Sequence, residues 1–240
     1  MTFGYDSGLA FSKSRGGIEN YARDLLNRLN IVRADSQTRK RPLVFVAHSL
    51  GGAVVKKALI LAHEAQHIYG DVLSSTKGIM FMGTPHRGGS DVVSWPVLLA
   101  NVVNAASLGQ AVRKDLLRTP KGDSAVLHEI SRQFIHRAVP LQIRTFIEQE
   151  VERPLKELVV PEASSILCLP NEVILPLNAG HRSMCRFARH TSQDYLLVRW
   201  ALTDILSGGS TQPPPTVTGD RFLVNRSNPS QREGVRRPPG

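Results

Sequence analysis

The chain has 240 residues, a length that suits one domain or one domain followed by a tail. Hydrophobic residues make up 41% of it, so most of the chain should be globular, and its two cysteines argue against a disulfide-framed scaffold or a cysteine-rich zinc module. The net charge is +10, but the basic residues are scattered and no aromatic residues interleave with them, which favours an ordinary solvated surface over a nucleic-acid partner. No run of about 18 apolar residues is present, so we expect no transmembrane helix.

The first part of the chain alternates between helix and strand patterns. Residues 1–4 suit the end of a strand, and apolar residues at helical spacing predict a helix over 18–29. The continuous apolar run LVFVA at 43–47 predicts a strand buried on both faces. A helix over 54 to about 67 and a second buried strand at 77–82 follow.

The same alternation continues to about residue 206. The patterns predict, in order, short helices within 90–117, a helix over 124–138, strands at 141–147 and 172–177, and helices over 184–189 and 195–206. Alternating strands and helices predict an α/β domain over residues 1–206, with a mostly parallel sheet flanked by helices. From residue 207 onward Pro, Gly, Ser and Arg dominate, so we expect 207–240 to be a linker or a disordered tail.

The strongest chemical signal is the segment AHSLGG, residues 47–52, which follows a predicted strand and opens a predicted helix. This is the context of a nucleophile elbow, in which a serine occupies a sharp, strained turn. Ala47 and Gly51, two residues either side of Ser49, are small, as close packing around such a turn requires. The turn would expose the Ser49 hydroxyl and aim the Leu50 backbone N–H at a developing oxyanion. The alternative is an ordinary strand–turn–helix junction with an exposed serine.

A nucleophilic serine needs a base, and the base needs an orienting acid; in this architecture the chain order is serine, acid, histidine. His181 follows the fourth predicted strand in the loop NAGH, where such a histidine belongs. Glu148 leaves the C-terminal end of the third strand, and Glu150 is the fallback because a strand end can be misjudged by two residues. The structural alternatives are a surface-loop histidine and a solvated carboxylate.

A competing motif is HEAQH at residues 63–67, which matches the H-E-x-x-H pattern of zinc hydrolases. The pattern is short, no third ligand follows at a suitable spacing, and the helix is already explained as the one after the elbow. We therefore expect no metal site.

The segment GTPHRGG, residues 83–89, follows the second predicted strand. It predicts a tight turn at the C-terminal edge of the sheet, near the candidate site. It lacks the spacing of a phosphate-binding loop.

Four segments together resemble the lipase-like serine esterases of the α/β-hydrolase fold: RPLVFVAHSLGGAVVKKAL, GIMFMGTPHRGG, FIEQE and NAGHRSMCRF. The likeness runs from about Met1 to Leu206, and it extends to serine-active-site-containing proteins and to fungal hydrolase domains fused to NACHT or tetratricopeptide-repeat modules. It implies that Ser49 is the nucleophile, His181 the base and Glu148 the acid, with no metal or organic cofactor.

The sequence departs from this family in one respect. Members of this fold have an earlier strand and a loop, upstream of a segment like MTFGYDS, which supplies a second oxyanion N–H. The sequence begins inside the likeness, so we expect a sheet without its first strands, as in an incomplete chain. In the family's sheet order the missing strand lies between residues 1–4 and 43–47. The sheet would then close up by direct pairing or take a strand from a partner.

These features predict a serine hydrolase that cleaves carboxylic esters, with a lipid or another apolar acyl compound as substrate and residues 90–117 as a cap over the acyl pocket. The alternative is an inactive or truncated hydrolase-fold module with a binding or signalling role. The sequence leaves the location open, with the cytoplasm as the default, and it leaves peripheral membrane association open as well. Endoplasmic reticulum, mitochondrion and lipid metabolism are suggested by the resemblance alone.

Overall fold

We analysed a computed structural model, which describes residues 1–5, 17–86, 121–153 and 155–209. The predicted short helices and cap at 90–117 lie outside these ranges, and so does the predicted tail from residue 210 onward. None of the described helices is both long and apolar enough to cross a membrane.

The described residues form seven helices and four strands. In chain order they are α1 (Gly17–Val32), α2 (Ser36–Arg39), β1 (Leu43–His48), α3 (Gly51–Glu64), α4 (Gln66–Ser75), β2 (Thr76–Met82), α5 (Lys121–Ile135), β3 (Gln142–Glu148), α6 (Glu162–Ser165), β4 (Glu172–Leu177) and α7 (Gln193–Leu206).

The four strands form one sheet in the order β1-β2-β3-β4, and every neighbouring pair is parallel. His48 aligns with Met82, and Glu148 aligns with Leu177, so the carboxyl ends of the strands meet at one edge. Residues that follow different strands are thereby brought together at this edge. The predicted α/β class with a parallel sheet flanked by helices is confirmed for these residues.

Helices cover both faces of the sheet, as its apolar strands require. On one face Phe45, Ile79 and Ile143 join a core with residues of α1, α3 and α5. On the other face Met80, Phe146 and Leu175 pack with apolar residues of α7. The amphipathic pattern predicted for 18–29 is the buried face of α1.

The four strands predicted from residue 43 onward are confirmed to within one residue at each end, but three other local predictions are wrong. The single helix expected over 54–67 is interrupted at Ala65, whose φ of −123° ends α3 before α4 begins. Residues 184–189 form turns and bends, and residues 1–4 form no strand. The sequence analysis did not predict α4, which leads directly into β2 at Thr76.

A groove separates residues 1–5 from the edge strand β1, so these two segments do not close up by direct pairing. No described strand pairs with the outer side of β1. The groove encloses about 510 Å³. Its walls are largely apolar and comprise residues of the N-terminal segment, α1, β1 and α3: Met1, Thr2, Phe3, Tyr5, Leu25, Leu29, Leu43, Val44, Phe45, Val46, Ala47, His48, Gly51, Val54 and Val55.

A buried ion pair fastens α7 to the sheet. The Arg144 guanidinium of β3 donates to the Asp204 carboxylate of α7, and both side chains are almost fully inaccessible. Arg144 also donates to the Ile143 carbonyl at 2.9 Å. A buried charge needs such partners, because water no longer solvates it.

Lys56 of α3 is buried in the core, with 1% of its surface exposed. Its Nζ donates to the Ser131 Oγ at 2.8 Å and to the His86 Nδ1 at 3.1 Å. Burial disfavours the charged ammonium and lowers the pKa of Lys56 from 10.5 to about 7.

This burial predicts a stability that depends on pH. Between pH values near the folded and the unfolded pKa of Lys56, the unfolded chain binds one proton more, so the free energy of unfolding rises with pH. The Lys56→Met substitution removes that rise. Relative to the variant, the wild-type protein should gain about 1 kcal/mol per pH unit. Urea denaturation at about pH 7, 8 and 9 measures the difference.

Lys57→Met is the matched control, because Lys57 reaches the surface and pairs with Glu19 at 3.2 Å. Its pH profile should run parallel to that of the wild type. Parallel profiles for Lys56→Met as well would show that Lys56 keeps its ordinary pKa in the folded chain.

Candidate active site

Ser49 occupies the turn between β1 and α3 and adopts a φ of 53°, in the left-handed region. A non-glycine residue rarely adopts this conformation, so its surroundings must hold it there. The Ser49 N–H donates to the Met82 carbonyl at 2.9 Å, and the Ser49 carbonyl accepts from the Gly52 N–H at 3.1 Å. These bonds tie the turn to β2 on one side and to α3 on the other.

After Ser49, the structure requires a small residue at Gly52, whereas the sequence analysis expected this requirement at Gly51. A Cβ on Gly52 would overlap the Thr84 side chain. A Cβ on Gly51 would meet only the Tyr5 hydroxyl, at 3.9 Å. The reason is that the segment after β2 crosses α3 at Gly52, while Gly51 faces the groove beside β1.

His181 lies beside Ser49, with its Nε2 2.9 Å from the Ser49 Oγ. It follows β4 in a tight turn in which the Ser183 and Met184 N–H groups donate to the Gly180 carbonyl. The imidazole is buried, with 3% of the residue exposed. Glu152 braces the same turn by accepting from the Arg182 N–H at 2.7 Å.

Glu148 lies on the far side of the imidazole, with its Oε1 3.3 Å from the His181 Nδ1. The residue is 1% exposed. Its carboxylate accepts from two backbone groups, the Val160 N–H at 2.6 Å and the Val159 N–H at 3.3 Å. Such amide donors are what a buried carboxylate needs in place of water.

Glu150, the fallback acid, is exposed, and the structure brings Glu148 rather than Glu150 to His181. The Glu150 N–H instead donates to the Ala179 carbonyl at 3.3 Å, and the Gln149 N–H donates to the same carbonyl at 3.2 Å. The chain after β3 is thus attached to the loop that carries His181.

Leu50 is the N-cap residue of α3, and no side chain caps this end of the helix. The first backbone N–H groups of a helix have no partner within the helix, and they lie at the positive end of its dipole. This end of α3 starts directly after Ser49. The backbone N–H predicted from the sequence to face an oxyanion therefore belongs to an uncapped helix N-terminus.

Sequence reasoning did not anticipate that His48 would hold the His181 loop. The His48 Nε2 donates to the His181 carbonyl at 2.8 Å, and the two ring centroids are 4.9 Å apart. Burial, and then the neighbouring His181, lower the pKa of His48, which favours the neutral ring. The Val159 and Val160 amides were also missed, because a backbone donor leaves no mark in a sequence.

Of the turn predicted over 83–89, the structure describes Gly83, Thr84, Pro85 and His86, all of them buried, and residues 87–89 lie outside the described ranges. Gly83 has a φ of 54°, and its N–H donates to the Phe146 carbonyl at 3.0 Å. A Cβ there would lie 3.0 Å from the His181 Nδ1 and 2.8 Å from the Met184 sulfur. This glycine is therefore required both by its conformation and by the closeness of the imidazole.

The two histidines of HEAQH lie on different helices, His63 on α3 and His67 on α4. The break at Ala65 removes the shared helix face that zinc binding needs. Among the described residues no group of three or more His, Cys, Asp or Glu could hold a metal ion.

A family described as "Putative serine esterase (DUF676)" matches residues 6–120. The chain is similar in sequence to serine esterases. It is 27% identical to Protein SERAC1 of Danio rerio over 219 residues, which is 85% of this chain and 30% of that protein. It is 26% identical to Protein SERAC1 of Homo sapiens over 151 residues, 61% of this chain and 21% of that protein.

The chain thus spans less than a third of the length of these curated relatives. The family match includes Ser49 and the 83–86 turn. Glu148 and His181 lie beyond residue 120, so their part in the site rests on the geometry described above.

The packing at Gly83 predicts that Gly83→Ala displaces the His181 ring. A displacement of about 1 Å can lower a rate about 10²-fold, and we expect a loss of that order in the rate at which a fluorophosphonate probe labels Ser49. Fluorescence of the labelled band over time measures this rate.

Gly70→Ala is the control, since a Cβ on Gly70 meets nothing within 4 Å. It lies inside α4, so the substitution should stabilise the fold by up to about 1 kcal/mol and leave labelling unchanged. Equal labelling of Gly83→Ala and wild-type protein would show that the imidazole tolerates the added methyl group.

Proposed function

We propose that this protein is a serine hydrolase that cleaves carboxylic esters through an acyl-enzyme. The observation that carries the proposal is the line of contacts from the Ser49 hydroxyl through the His181 imidazole to the Glu148 carboxylate. The three groups come from separate segments of the chain and meet at the carboxyl edge of a parallel sheet. The family match supports the hydrolase class.

In the first half of the reaction, the Ser49 Oγ attacks the acyl carbon while the His181 Nε2 takes the hydroxyl proton. The carbonyl electron pair moves to oxygen, and the Leu50 N–H at the start of α3 stabilises that oxyanion. His181 then gives its proton to the leaving alcohol oxygen, the ester C–O bond breaks, and the acyl group remains on Ser49.

In the second half, water replaces the alcohol. The water oxygen attacks the acyl carbon while His181 takes a proton from the water. His181 then gives this proton to the Ser49 Oγ as the acid product leaves. Glu148 accepts from the His181 Nδ1–H throughout, which fixes the tautomer and stabilises the imidazolium. The Val159 and Val160 amides donate to the Glu148 carboxylate and hold it in place beside the imidazole.

The groove beside β1 favours an apolar acyl group. It reaches His48, which precedes Ser49, and Gly51, two residues after Ser49, and it continues along Val46 and Phe45. Its volume of about 510 Å³ is within the range of small-molecule sites. A lipid ester or another ester with an apolar acyl chain is therefore the proposed substrate class, and the cap proposed at 90–117 lies outside the described residues.

A binding or signalling module is the second candidate, and the outer side of β1 favours it. The Ser49 N–H points toward β2, so by strand alternation the N–H and C=O groups of Val44, Val46 and His48 point toward the groove. Val46 is 57% exposed. An extended segment of another chain could pair with such an edge without any chemistry at Ser49.

The enzyme proposal predicts covalent labelling of purified protein by a fluorophosphonate probe. Labelling should require the folded state and should disappear in Ser49→Ala, because only a serine with an adjacent base is activated. Ser74→Ala is the matched control: Ser74 is exposed on α4 and its hydroxyl donates only within that helix.

A folded wild-type protein that does not label would contradict the enzyme proposal and leave the binding module. Labelling that persists in Ser49→Ala would place the reactive serine elsewhere. Where labelling follows Ser49, hydrolysis of p-nitrophenyl esters of increasing chain length tests the apolar acyl group.

The two glutamates at the end of β3 give a further prediction. Glu148→Gln should lower the labelling rate by about 10²–10⁴-fold, since an amide no longer fixes the imidazole tautomer. Glu150→Gln should label like the wild type, because its side chain is exposed. The reverse pattern would assign the acid to Glu150.

A further inference from the structure

Beside the candidate active site lies a buried polar cluster that the proposed reaction does not use. Lys56 of α3 donates to the His86 Nδ1 at 3.1 Å and to the Ser131 Oγ of α5 at 2.8 Å. The exposed fractions of Lys56, His86 and Ser131 are 1%, 1% and 6%. The cluster joins α3, which follows the nucleophile, to the turn after β2 and to α5.

Packing alone does not account for a lysine at this position. The other buried residues along α3 are small or aliphatic, among them Val55, Ala58 and Leu59. A lysine is almost never fully buried unless paired, and an apolar residue of similar volume often stabilises a core more. A lysine adds directional hydrogen bonds, and each of these bonds fixes the position of the group that accepts it.

His86, the acceptor, connects to the segment that holds the proposed acid. The backbone N–H of His86 donates to the Ser164 carbonyl of α6 at 2.7 Å. Helix α6 begins two residues after Val160, whose N–H binds the Glu148 carboxylate. The His86 ring also packs edge-on against Phe81 of β2, with 4.6 Å between ring centroids.

The other end of the same turn contacts the base and two residues close to the nucleophile in the chain. Thr84 packs against Gly52 at the start of α3, and its Oγ1 donates to the Ala47 carbonyl at 3.4 Å. Gly83 lies directly against the His181 ring. Residues 83–86 therefore contact His181 itself, residues near Ser49 and the helix that follows the Glu148-binding amides.

We propose that Lys56 is a positioning residue for the active site. Its bonds to His86 and Ser131 hold residues 83–86 in place. Gly83 then stays packed against His181, and His86 stays bound to α6, the helix that follows the Glu148-binding amides. This inference rests on the proposed function. Lys56 reaches no reacting atom and acts through the turn.

The test compares Lys56→Met with wild type in three measurements: urea stability, the rate of fluorophosphonate labelling, and the low-field NMR resonance of the His181 Nδ1–H, assigned by its loss in His181→Gln. Methionine keeps the volume of the stem and removes the donors, so we expect a folded variant. Labelling should slow by about 10–100-fold, as for the loss of a supporting contact, and the Nδ1–H resonance should shift or broaden.

Two further variants check that the effect passes through His86. His86→Leu removes the acceptor and should reproduce the loss, while Lys56→Met with His86→Leu should lose no more than either alone, because the two residues act as one unit. His86→Asn retains an acceptor and should recover part of the rate. Lys57→Met on the same helix should behave like wild type. If Lys56→Met does not fold, His86→Leu and His86→Asn are compared with wild type in the same three measurements.

The outcomes separate the two proposals. Wild-type protein that is folded but unlabelled would contradict the esterase proposal, and the Nδ1–H resonance would then decide on Lys56 alone. Wild-type labelling with an unchanged rate and an unchanged resonance in the folded Lys56→Met variant would overturn the positioning role. A fall in stability without either change would assign Lys56 to the core only.

Discussion

The hydrogen bond from the Ser49 N–H to the Met82 carbonyl continues the β1–β2 ladder one residue beyond the end of β1. The Gly83 N–H continues the β2–β3 ladder in the same way, through the Phe146 carbonyl. Both residues have a positive φ, so each ladder is extended and then turned at the same level of the sheet. These two bonds determine where the serine hydroxyl and the glycine behind the imidazole lie, and the remaining groups of the site are placed against them.

Patterns that depend on neighbouring residues were readable from the sequence. Apolar runs located β1 and β2, because strands in a parallel sheet covered by helices are rich in them, although Val46 of β1 is 57% exposed. The third strand, β3, contains Gln142, Arg144 and Thr145 and is not a continuous apolar run. The elbow around Ser49 was visible for a similar reason, since small residues and a strand–helix junction lie within a few positions. Glu148 and His181 could be chosen because parallel strands end at one edge, so a residue just after a strand belongs to that edge.

Features that depend on distant contacts were not readable. The amides of Val159 and Val160 bind Glu148 as backbone groups, which every residue except proline possesses. Lys56 resembles any helical lysine until the His86 and Ser131 side chains are placed around it. Gly51 and Gly52 look equivalent in sequence, and only the path of Thr84 decides which of them is crowded.

The separation of the site residues along the chain has a consequence for folding kinetics. Glu148 and the Val160 amide lie 12 residues apart, whereas Ser49 and His181 lie 132 apart. Closing the longer loop costs more chain entropy, and contacts of that range form late unless others precede them. An intermediate with β1, β2 and β3 paired would already hold the carboxylate on its amides while the serine still lacked a base. Ser49 would then become an activated nucleophile only in the last step, when the chain after β4 packs against the sheet and brings His181 to it.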